Sequence, residues 1–156
     1  MKLPPFQTLL DRHADDVLRY LRASVGSVDA EDCFQETFLS ALRGYPQLRD
    51  GRNLRGWLLT IAHNKALDAH RARTRRPVPV PELDERVAVP DDDGPPDTEL
   101  WSAVRELPQK QRSAIYLRFA GDLDYATIGE AIGCSEVAAR QNVRAGLATI
   151  RKGWPR

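Results

Sequence analysis

Asp122–Arg151 reads DLDYATIGEAIGCSEVAARQNVRAGLATIR, and this stretch predicts two helices with a tight turn between them. Asp124 is placed to cap the first, its side-chain oxygen accepting from a free backbone N–H. Tyr125, Ile128 and Ile132 then recur at helical spacing. Gly133 is expected to end that helix, because glycine enters the left-handed region without steric cost. Ser135 caps the second helix. Val137, Ala138, Val143, Leu147 and Ile150 are its predicted buried side, and Arg140, Gln141, Asn142 and Arg144 are left to face out. A short helix, a Gly turn and a longer helix rich in Arg, Gln and Asn is the sequence form of a helix-turn-helix. Arginine pairs bidentately with guanine, and glutamine or asparagine with adenine, so these residues suit base edges in the major groove. An ordinary helical hairpin with a solvated polar face has the same pattern. The rest of the chain has to decide.

Immediately before this stretch, Leu100, Trp101, Val104 and Leu107 open a helical unit. Pro108 suits a helix start, where its missing N–H costs nothing. Gln109 to Phe119 is predicted helical, and Gly121 ends it. Further upstream the material changes. Pro77 to Glu99, PVPVPELDERVAVPDDDGPPDTE, has no helical period and carries eight acids against Arg86, a local net charge of −7. Such a segment cannot bury enough apolar surface to offset its ordering entropy. It reads as a flexible acidic, proline-rich linker that reaches on the order of 70 Å at ~3.1 Å per residue.

Three helices are predicted before the linker. The first, Phe6 to Ser24, has an apolar stripe of Leu10, Ala14, Val17, Leu18 and Leu21. The second, Asp29 to about Tyr45, buries Phe34, Phe38, Ala41 and Leu42. Its Asp29 and Glu31 are accounted for by the helix macrodipole, which favours carboxylates in the first turn. Asp32, Gln35 and Glu36 continue a polar face beyond that turn and call for a partner. The loop Pro46–Asn53 leads into a third helix, about Leu54 to Arg75, with Leu54, Trp57, Leu58 and Ile61 as its core stripe. Its second half turns basic: Lys65, Arg71, Arg73, Arg75 and Arg76 against Asp68 leave a net charge of +4. A cluster that dense marks a polyanion site more readily than dipole capping alone.

Composition narrows the classes further. The 156 residues are enough for one domain or two small ones. Lys and Arg together number 23 against 22 Asp and Glu, so charge distribution, not net charge, carries the information. Cys33 and Cys134 lie far apart at no metal-ligand spacing, which argues against a disulfide framework; both read as small core or near-core residues. Trp57 and Trp101 read as core. No apolar run spans a bilayer and the N-terminus is no signal peptide, so no membrane insertion and a cytoplasmic location are expected. His63 and His70 share one face of the third helix, but no Cys or carboxylate cluster completes a metal site with them. Both read as polar residues of a nucleic-acid-facing helix. The fold class is all-α: two small helical domains, residues 1–76 and 100–156, joined by the linker 77–99.

Together these segments resemble the sigma-70 family of bacterial transcription initiation factors, in the short extracytoplasmic-function (ECF) form that keeps only sigma domains 2 and 4. DAEDCFQETFLSAL, Asp29–Leu42, looks like the family helix that docks on the β′ clamp helices of RNA polymerase. NLRGWLLTIAHNKALDAHRARTRR, Asn53–Arg76, looks like the segment that opens and reads the minus-ten element. LPQKQRSAIYLRFAGDLDYATIGEAIGCSE, Leu107–Glu136, looks like the start of the domain that reads the minus-35 element. The resemblance implies a helical bundle as domain 2, a helix-turn-helix as domain 4, and an alternative sigma factor that catalyses no reaction and needs no cofactor. It further implies partners: core RNA polymerase, through its β′ clamp helices and β flap, promoter DNA, and an anti-sigma factor.

Carried over residue by residue, Asp29, Asp32, Gln35 and Glu36 are the polymerase-binding candidates. Leu48, Arg52, Asn53, Asn64, Lys65 and Arg71 are those for minus-ten DNA, and Ser135, Arg140, Gln141, Asn142 and Arg144 those for the minus-35 element. The chain departs from the pattern after Ser135. Ala138, Ala139, Arg140, Gln141 and Asn142 stand where the family usually has Thr, Val, a basic residue, Ser and Arg. Ala145, Gly146 and Leu147 replace an Arg-Ala-Arg run. The second helix is thus short of cations, and Gly146 is expected to weaken it by about 1 kcal/mol relative to Ala. A helix-turn-helix regulator that works without stable polymerase association accounts for the C-terminal half equally well, but not for the Asp29–Glu36 face or the Trp57–Arg76 segment.

Overall fold

The computed structural model describes residues 3–49, 51–75 and 98–153, and its regular structure is entirely helical. The N-terminal half contains α1 (Phe6–Val25), α2 (Ser27–Gly44), a 3-10 turn (Tyr45–Gln47) and α3 (Leu54–Arg75). The C-terminal half contains α4 (Thr98–Arg105), α5 (Gln109–Ile115), a π-helical turn (Tyr116–Ala120), α6 (Tyr125–Ile132) and α7 (Glu136–Gly153). Most of the predicted linker lies outside the described residues, as does Arg76. Thr98 and Glu99, assigned to the linker by their composition, instead form the first turn of α4.

Each helix begins and ends for local reasons. Asn53 caps α3, its Oδ1 accepting from the Gly56 amide at 3.0 Å. Asp124 caps α6 by accepting from the Thr127 amide at 2.7 Å, and Ser135 caps α7 by accepting from Ala138 at 3.0 Å. Gly133 closes α6 at φ 79°, ψ 39°, in the left-handed region. The helix expected over Gln109–Phe119 changes pitch at Tyr116: the Gly121 amide bonds to the Tyr116 carbonyl five residues back.

Leu9, Val17, Tyr20 and Leu21 of α1 meet Ala30, Cys33 and Ala41 of α2 and Leu58, Leu59 and Ala62 of α3 in a closed three-helix core. In the C-terminal half, α5 packs on α7 and α7 on α6, around Ile115, Leu117, Ile128 and Val143. Three residues predicted buried are exposed: Leu42 at 51%, Val137 at 58% and Leu147 at 36%. Helix α7 buries Val143 as expected, and beside it Ala139 and Gly146. The cause is distance. The small faces of Ala139 and Gly146 let α7 come close to Ile115 and Leu107, and turning that face inward carries Val137 and Leu147 outward.

The halves also pack on each other through one continuous buried cluster. Tyr20 of α1 meets Tyr116 edge-on, with centroids 6.4 Å apart, and Trp101 of α4 stacks on Tyr116 at 5.6 Å. Arg105 Nη2 donates to the Arg22 carbonyl at 3.3 Å, and Arg55 Nη1 to the Asp122 carbonyl at 3.3 Å. Among the described residues, the two halves are not held apart.

Candidate polymerase and nucleic-acid surfaces

The first surface is the outer side of α2. Helical periodicity puts Asp32, Gln35, Glu36, Leu39 and Leu42 on one side, and all five are exposed. The opposite side buries Cys33, Thr37 and Phe38 against α1 and α3. Asp29 begins this face but is half-buried in the first turn. Two leucines, each more than half exposed, therefore sit among the three polar candidates. Sequence reading missed Leu39 and placed Leu42 in the core. For Leu39 the signal is angular: counted around the helix it falls with Gln35 and not with Phe38, whereas Leu42 lies at the border between the two faces.

The second surface is spread along α3. Asn64 and Arg71 line a cleft of about 390 Å³ with Leu67 of α3 and Gln109, Lys110, Ser113 and Glu130 of the other half. Arg71 is also 3.8 Å from Asp68, an exposed pair. Lys65 lies off this cleft, half-buried, on a neighbouring face of the helix. Leu48, Arg52 and Asn53 sit at the other end of α3, and Asn53 is about 16 Å along the axis from Asn64. The Asn53 amide reaches Thr127 Oγ1 at 3.4 Å, which ties the loop to α6. The structure therefore does not gather the six minus-ten candidates into one pocket.

His63 departs from expectation. It is 4% exposed, with Nδ1 3.4 Å from the Tyr20 hydroxyl, in the wall of the cleft that Asn64 and Arg71 also line, so it is a core residue and not an exposed one. Burial lowers its pKa to about 4, with further lowering from Arg112 and His70. Burial likewise raises Tyr20, and it pushes Tyr116 up to about 12. Cys33 is buried and Cys134 half-buried, and neither is in a disulfide.

The third surface is α7. Ser135 is used as the cap. Gln141 and Arg144 are exposed, with Val137 on the same side. Arg140 is half-buried and 3.5 Å from Glu136. Asn142 is half-buried around the helix from Arg144, and its amide donates to the Ala138 carbonyl at 3.0 Å. It is therefore directed away from the face that Arg140, Gln141 and Arg144 share. Val137 was missed because an exposed valine and a buried one read alike in sequence. Its methyls suit apolar contact with a thymine methyl.

Among the described residues, no three His, Cys, Asp or Glu side chains are grouped to hold a metal ion, and no helix is long and apolar enough to cross a membrane. Comparison with known proteins identifies the family. Residues 9–76 match the sigma-70 region 2 family, and residues 97–150 match the sigma-70 region 4 family. The RNA polymerase sigma factor CarQ of Myxococcus xanthus is 32% identical over 94% of this chain and 87% of its own length. The ECF RNA polymerase sigma factor SigE of Mycolicibacterium smegmatis is 32% identical over 96% of this chain, which spans only 61% of that relative. The sigma factor RpoE of Bartonella quintana, solved in complex with the anti-sigma factor NepR, has the same fold. Its TM-score is 0.75 at 20% identity, over 96% of both chains. The chain belongs to the sigma-70 family, in its extracytoplasmic-function subgroup.

Proposed function

We propose that the chain is an alternative sigma factor acting in the cytoplasm. It binds core RNA polymerase through the outer face of α2, reads upstream duplex DNA with α7, and holds the unpaired minus-ten strand along α3 and the loop before it. It catalyses no reaction; its contribution is binding energy. Holding extruded bases offsets the cost of unstacking them.

The observation that carries the reading is the α2 face. Leu39 and Leu42 are each more than half exposed, beside Asp32, Gln35 and Glu36. A helix whose other side already fills a core has no internal use for this second face. Apolar anchors within a polar rim are what a protein-binding surface requires. The structurally similar sigma factor RpoE was solved in complex with the anti-sigma factor NepR. We extend to this chain an anti-sigma factor that covers the polymerase-binding surface.

The test is co-purification with core polymerase. Asp32→Lys with Glu36→Lys is expected to abolish it while the helical circular-dichroism signal is unchanged. Undiminished retention of the double variant would sink the assignment. For the minus-ten role, Asn64→Ala with Arg71→Ala is expected to reduce open-complex formation on duplex promoters, and to do less harm on a pre-melted template.

A further inference from the structure

Arg140 does not sit loose on the surface of α7. Its guanidinium carbon lies over the ring of Tyr125, 5.1 Å from the centroid. The Arg118 guanidinium, from the π-helical turn, approaches the same ring at 4.8 Å. Arg118 is itself anchored, its Nη1 donating to the Leu123 carbonyl at 3.0 Å. Tyr125 is the first residue of α6, directly after the Asp124 cap, so a hydrogen-bonded helix start fixes where the ring stands. The ring is half-buried and belongs to the shell packed on the core. A rigid aromatic surface on one helix thus meets a long cation on the other.

We propose that Tyr125 is the positioning residue for Arg140. Its ring holds the guanidinium in one orientation on α7, so that its planar fork is presented to a single base pair. An arginine that reads guanine in bidentate fashion must give up rotamer freedom on binding. Restricting it beforehand lowers that cost and sharpens the choice of base. The ion pair with Glu136 does not do this alone. Its side chains are 44% and 56% exposed, and such pairs are weak and screened by salt. The attraction of the ring resides in its π face and not its hydroxyl, so phenylalanine should serve in its place and leucine should not.

The inference rests on α7 reading duplex DNA, and the experiment separates the two. Base preference is measured at every position of the upstream element, using core polymerase with the full chain. The set is wild type, Arg140→Ala, Tyr125→Leu, Tyr125→Phe and the Tyr125→Leu/Arg140→Ala double variant. Arg140→Ala is expected to relax one position. Tyr125→Leu is expected to cut preference at that same position by about two- to five-fold, the size of a cation–π contact at a partly exposed site. Tyr125→Phe should retain the preference, and the double variant should match Arg140→Ala alone. In wild type, the Arg140 Hε resonance should lie upfield through ring current, whether or not Tyr125→Leu folds well. Preference kept by Tyr125→Leu, an equal loss at all positions, or an unshifted Hε would each overturn the positioning role. An Arg140→Ala variant with unaltered preference would overturn the reading by α7 and the inference with it.

Discussion

An added methyl at Gly146 would lie 2.4 Å from Ile115 Cδ1 and 3.2 Å from Leu107 Cδ1. Ile115 is 2% exposed and cannot swing aside. Overpacking of this kind costs about 1–3 kcal/mol, against about 1 kcal/mol of helix propensity gained by replacing glycine with alanine. Packing wins, so the expected weakening of α7 by Gly146 is reversed: this glycine is what lets α5 and α7 meet. Gly146→Ala is expected to destabilise the chain by about 1 kcal/mol in urea melts. In an Ile115→Val background, which lacks the obstructing Cδ1, the same change should become neutral or stabilising. A stabilising effect of Gly146→Ala in the wild-type background would contradict the packing argument.

At the scale of elements, α6 and the turn that follows it depend on Gly129 more than on the Asp124 cap at the start of the helix. The Gly129 carbonyl accepts from both Gly133 and Cys134 at 2.9 Å. A Cβ at Gly129 would stand 2.6 Å from the Cys134 carbonyl oxygen. That obstacle is backbone, so relief requires the turn itself to open. Gly129→Ala is expected to cost about 2 kcal/mol or more and to weaken duplex binding. Removing the Asp124 cap by Asp124→Ala should cost only about 1 kcal/mol. Equal melting temperatures for the two variants would show that the turn tolerates the methyl. On α2, Leu39→Asp leaves the core untouched, because the side chain is 53% exposed. It should lower affinity for core polymerase at unchanged thermal stability, and full affinity would remove Leu39 from the interface.

The whole molecule sets a limit that no single element does. Minus-ten and minus-35 elements lie about 25 base pairs apart, or about 85 Å at 3.4 Å per pair. A compact chain of 156 residues has a radius of gyration of about 15 Å. On the proposed reading of both elements, the packed arrangement is too short, so the Tyr20–Tyr116 and Arg105–Arg22 contacts are expected to part on promoter DNA. The stretch from Arg75 to Thr98 reaches up to about 75 Å when extended. X-ray scattering from the free chain should give a radius near 15–18 Å, and Tyr116→Ala with Arg105→Ala should raise it. A free wild-type chain well above 20 Å would show that the halves are already apart.

The same interface carries a pH dependence. His63 has a folded pKa of about 4 against 6.5 when unperturbed, lowered by burial first and then by Arg112 of α5 and His70 of α3. Between those values the unfolded chain binds a proton that the folded chain refuses. Stability therefore falls as pH drops from about 6.5 to 4, by on the order of 3 kcal/mol in total, and this group contributes no pH dependence above that window. Thermal melts at pH 7 and pH 5 should show the loss, and His63→Gln should flatten it. An equal slope in the variant would assign the effect elsewhere.

Sequence alone was sufficient for the helices and for several of their caps, though not for the start of α4 or the change of pitch at Tyr116. Capping by Asp124 and Ser135, the left-handed Gly133 and the apolar periods are local, and local chemistry is written in consecutive residues. The same holds for Asp32, Gln35 and Glu36, where three polar residues on one helical face need only the helix to be brought together. Tertiary structure decided which way each helix turns. Val137 and Leu147 face outward because closeness of approach at Gly146 outweighed the larger side chains, and hydrophobicity counts do not measure distance. It also buried His63, tied Asn53 to Thr127 and set Arg140 over Tyr125. Those contacts join residues 15 to 74 positions apart, and only packing brings such pairs within reach.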